Sequence, residues 1–161
     1  MKKINVDQID VIFEQVNNFS IPETEKLLDL FGNDQPVYFN YIMQDEFELL
    51  GEDAHELLLF NSMTVWYIIK QTLGTVKQLE SETLDEKQDA NWSAIEALPP
   101  LKSQDFEEYV EPLIGYHPQD ELLYFILDTF QEEEGTEEFA LNKESKIPIF
   151  VALKSFIDSV L

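Results

Sequence analysis

Two histidines and no cysteine leave few places where this chain could carry out metal or nucleophile chemistry. Glu52 and His55 form a Glu-x-x-His, the spacing by which di-iron carboxylate bundles set two ligands on one helical face. Such a centre needs a second copy of the motif and two bridging carboxylates. His117 has Ile114 three residues before it, and Glu14 and Glu48 carry nothing that separates them from solvated acids. Glu52 also falls before the helix start expected at Asp53, which would turn it away from His55. A carboxylate/histidine metal-binding helical protein or enzyme is therefore the alternative reading, beside the simpler one of a histidine at a helix start.

His117, Asp120 and Glu121 could be read as an acid/base cluster. Acids in the first turn of a helix are, however, ordinary partners of its dipole, and His117-Pro118 reads as a helix start. Asp85, Asp89 and Asn91 lack the spacing, the turn glycine and the closing glutamate of a calcium loop. Phosphate-cradling glycine loops and the G-x-S-x-G nucleophile turn are missing. These residues assign no catalytic group, no metal ligand and no cofactor.

What remains is charge. The 161 residues hold 33 acids against 10 basic residues, all of them lysine, for a net charge of -23. Without arginine the chain lacks the usual bidentate grip on phosphate. The excess is uneven: -8 over residues 1–79, -16 over 80–138 and +1 over 139–161. A surface of this sign repels nucleic acid and anionic membrane and attracts basic proteins. The expected function is that of a non-enzymatic cytoplasmic binding protein whose acidic surface engages a basic protein partner. Glu107, Glu108, Glu111, Glu132, Glu133 and Glu134 are the residues expected to carry that contact. The many Phe and Tyr residues also allow an apolar ligand pocket between helices, although an aromatic-rich core explains them equally well.

The elements that must position these residues are helical. Ile9, Ile12, Phe13 and Val16, and again Phe106, Tyr109, Val110 and Leu113, follow the i, i+3, i+4, i+7 pattern. A hydrophobic content of 44% with 20 aromatic residues is too high for a disordered acidic chain. The spacing predicts one all-α domain over residues 1–161, a compact multi-helix bundle or irregular array of about eight helices. These are expected at 7–18, 22–31, 35–50, 54–73, 84–97, 104–114, 118–133 and 145–161. Ser20/Glu23, Asp53/Glu56 and Thr83/Glu86 look like capping boxes. Gly32, Gly51, Gly74 and Gly115 each follow a large apolar residue, as left-handed C-terminal caps do. The last helix, apolar over much of its circumference, is expected to pack against the Leu57–Ile69 stretch. That stretch is too short and too polar to span a bilayer, and MKKINVDQIDV lacks the apolar core of a signal peptide.

LLGEDAHELLLF at 49–60 and LIGYHPQDELLYF at 113–125 share a Leu, a Gly and a Glu-Leu-Leu-x-Phe run. Two related helical halves would produce this match. So would local helix-loop-helix grammar, which is the preferred account.

Overall fold

The structure is a computed structural model that describes residues 2–134 and 143–161, with the side chains of 132–134 and 143 left aside. Among the described residues it is all-α, with nine helices and no strand. They are α1 (Val6–Asn17), α2 (Ile21–Asp34), α3 (Pro36–Ile42), α4 (Asp45–Glu48), α5 (Glu52–Leu73), α6 (Ser81–Glu96), α7 (Phe106–Val110), α8 (Asp120–Glu134) and α9 (Lys143–Val160). A 3-10 turn, Glu111–Leu113, continues α7. The array matches the all-α expectation, with the boundaries redrawn for local reasons.

α2 runs through Gly32 to Asp34, because Gly32 keeps a helical backbone instead of capping. It stops at Gln35, the residue before Pro36, where the proline ring disfavours the α conformation. The helix expected over 35–50 is two short ones, and no glycine or proline marks the break at Met43 and Gln44. There the Tyr41 and Phe47 rings meet edge-on at 5.1 Å, so tertiary packing holds the bend. The Ser20/Glu23 capping box is formed in both directions, and α1 has one of its own at Asn5/Gln8. The other two expected boxes are not: α5 begins two residues early, at Glu52 after Gly51, and α6 begins at Ser81. Of the four glycines, only Gly51 and Gly74 have positive φ, and only Gly74 ends a long helix.

The repeated segments differ in the same way. Gly51, at φ 104°, abuts α5 directly, whereas Gly115 has no positive φ and lies five residues before α8. The two segments thus enter their following helices through different backbone geometry.

α5 and α9 form the centre of the packing. Leu58, Val65, Ile68 and Ile69 of α5 and Ile149, Leu153, Phe156 and Ile157 of α9 are wholly buried. α9 touches α5 as expected, and lies most extensively along α6, whose sequence gives a weaker apolar pattern. α1 packs on α5 and α8, while α2 packs on α3 and α5. Rings fill the gaps between helices: Tyr38 stacks on Phe156 at 4.4 Å, Phe31 meets Trp66 at 5.6 Å, and Phe106 contacts both Phe130 and Phe150 at 6.0 Å. The buried Tyr38 hydroxyl donates to the Ala152 carbonyl and also pairs with the Ser62 hydroxyl, tying α3 to α5 and α9.

Two buried glutamines fix segments that are not helical. The Gln35 amide donates to the Lys77 carbonyl at 2.9 Å and its oxygen accepts the Leu79 amide at 3.0 Å. Gln119 does the same to Lys2 and Ile4, at 3.1 and 3.0 Å. Each side chain therefore replaces one ladder of hydrogen bonds that the extended backbone would otherwise lack.

Candidate functional site

Glu107 of α7 and Glu111 of the 3-10 turn that continues it are held by short polar contacts to α8. Glu107 and Glu111 are four residues apart and face α8. Gln131 donates to Glu107 at 3.1 Å, and the Tyr124 hydroxyl donates to both Glu111 oxygens at 2.8 and 3.0 Å. That hydrogen bond, with a little burial and the nearby carboxylates, pushes the Tyr124 phenol up to about 12. Glu108 and Glu111 are exposed, and Tyr116, beside Gly115, is fully exposed. Glu132, Glu133 and Glu134 extend the backbone of α8, but their side chains lie outside the described residues. Of the six expected contact residues, Glu107 and Glu111 thus face α8 and are oriented by neutral donors, while Glu108 is exposed between them in sequence.

His117 is placed differently from the acid/base reading. Its Nδ1 accepts the Gln119 backbone amide at 2.9 Å, so Nε2 carries the hydrogen that meets Asp158 Oδ1 at 2.6 Å. With one nitrogen accepting and the other donating, no lone pair is left to take a proton from a substrate. Asp120, the expected neighbour, pairs instead with Lys3 at 2.6 Å, and that hydrogen bond lowers its pKa.

Asp158 is the residue that sequence reasoning missed. Its Oδ2 accepts Lys154 at 2.8 Å and Asn91 at 3.1 Å; Lys154 also donates to Asn91, and Asn91 to Ser155. Burial alone would raise the Asp158 carboxyl, but the bonds from His117 and Lys154, the lysine charge and the Asn91 amide outweigh it and hold the group down at about 2. The cluster ties α6, α9 and the connector before α8 into one polar clasp. A signal for it was present: Lys154 and Asp158 are the only charged residues in IPIFVALKSFIDSVL and stand one helical turn apart.

Glu52 opens α5 rather than preceding it, so it does lie one turn from His55. The His55 Nε2, however, meets the Ile42 carbonyl at 2.8 Å and Glu52 is exposed. Among the described residues no three His, Asp or Glu side chains converge as a metal centre requires. No helix among them is long and apolar enough to cross a membrane. The chain matches no protein-family model, and no curated protein or solved structure is significantly similar to it.

Proposed function

We propose that this chain is a non-enzymatic binding protein that engages a basic protein through the acidic face of α7 and α8. The observation behind this reading is one of stoichiometry and placement together. Ten lysines cannot neutralise 33 carboxylates, and Glu107 and Glu111 are held by a neutral amide and a phenol, which orient them without cancelling their charge. Fixed carboxylates of one sign accelerate encounter with a basic surface and make the rate depend on salt.

The test is capture of partners from the source cell's lysate at low and raised salt, followed by association kinetics with the basic protein retained. Replacing Glu107, Glu108 and Glu111 together with glutamine is expected to slow association by about tenfold at low salt, and less at high salt. An unchanged rate at low salt would sink the proposal.

A further inference from the structure

A second surface, built on α1, α2 and α5 and using none of the six acidic residues named above, combines apolar relief with charge. The C-terminal half of α5 is flanked by α1 on one side and α2 on the other. A shallow, open depression of about 400 Å³ lies between α1 and α5, lined by Asp7, Gln8, Val11, Ile12, Gln71 and Thr72. Another of about 370 Å³ lies between α2 and α5, lined by Leu27, Leu30, Trp66, Tyr67 and Gln71 among others. Gln71 belongs to both, so the two depressions form one surface. Val11 and Leu30, 58% and 50% exposed, are apolar side chains that the fold leaves uncovered there.

The flanking helices specify the sign of an occupant. Between them α1 and α2 carry seven acids and one lysine, Lys26. Asp7 and Glu14 stand on the same stripe of α1 as Val11, at i−4 and i+3, and both are exposed. Lys70, within the second groove, already lies over the Trp66 ring at 5.1 Å. A second copy of this chain, itself at -23, would bring like charge against like.

We infer that the surface formed by α1, α2 and the C-terminal half of α5 docks an amphipathic helix of a partner protein, with apolar residues at i, i+3, i+4 and i+7 and lysine or arginine beside them. Its apolar stripe covers Val11 and Leu30 and enters the two depressions, while its cations face Asp7 and Glu14. The inference shares with the proposed function only the expectation of a basic partner. It uses different residues and a different recognition mode, so each can fail alone.

The probe is a fluorescent synthetic helix of leucine and lysine in that spacing, with a scrambled peptide of the same composition and a leucine–glutamate helix as comparisons. Fluorescence anisotropy at physiological salt is expected to show binding of the leucine–lysine helix alone, with backbone amide shifts centred on Tyr67 and Gln71. The double variant Val11→Ser/Leu30→Ser, at two exposed positions, is expected to weaken binding by about tenfold or more. Glu107→Gln/Glu108→Gln/Glu111→Gln is expected to leave it within about twofold. No binding of the leucine–lysine helix, equal binding of the scrambled peptide, or an unaffected serine double variant would each overturn the inference. A concentration-dependent dimer that Leu30→Ser abolishes would assign the surface to a second copy, and overturn it too. Loss of binding in the glutamine variant alone would move the site to α7 and α8, leaving the proposed function standing without this inference.

Discussion

At the scale of single residues, Asp158 decides more than any group the sequence marks out. Its folded pKa of about 2 lies below the ordinary 3.8. The unfolded chain therefore takes up the proton first, and the stabilisation is fully present above the ordinary carboxylate range. It is lost as pH falls through about 2, and amounts to about 2 kcal/mol. Asp158→Asn should lower stability at neutral pH by about 2–3 kcal/mol, since Lys154 and His117 lose their shared acceptor. Urea unfolding of both proteins across pH checks this, and the difference between them should narrow below pH ~4. A constant difference would mean that Asp158 acts by shape and not by charge. The spacing of Lys154 and Asp158 was readable in advance, whereas the third and fourth members were not. His117 and Asn91 are 41 and 67 residues from Asp158, and only the packing of α9 against α6 and against the connector before α8 brings them together.

At the scale of elements, glycine and proline separate what local rules decide from what packing decides. Gln35 leaves the helix because Pro36 follows it, and Gly74 ends α5 at φ 89° because that backbone suits a residue without Cβ. Gly32 likewise follows a large apolar residue, Phe31 where Gly74 follows Leu73, and yet continues its helix, so the cap pattern alone does not fix the outcome. The two positions should respond to alanine in opposite directions. Gly74→Ala should destabilise by about 1 kcal/mol or more, through the conformation it must hold. At Gly32 an added Cβ would meet the Phe39 ring at 3.5 Å, an ordinary contact, so Gly32→Ala should stabilise by about 0.5–1 kcal/mol. Thermal midpoints of the two variants decide the matter, and a stabilised Gly74→Ala would contradict the capping role. The break between α3 and α4 lies beyond such rules: no glycine or proline marks it, and the Tyr41 and Phe47 rings pack across it.

At the scale of the whole molecule, a net charge of -23 acts against the folded state through self-repulsion. Raising ionic strength from about 0.01 M to 0.15 M shortens the screening length from about 30 Å to about 8 Å, and the unfolding midpoint should rise accordingly. A midpoint that does not move would mean the carboxylates are spaced widely enough not to repel in the folded chain. The sequence by itself determined the all-α class, the apolar stripes of α1 and α7, the capping box of α2 and the sign of the surface. Each of these depends on residue type or on neighbours within about two helical turns. Only the tertiary structure decided that Gln119 clasps Ile4 across 115 residues, that Asp120 pairs with Lys3 and not His117, and that Val11 and Leu30 stay uncovered. Those outcomes depend on which helix faces lie against one another, and amphipathic spacing states that a face is buried without stating against what.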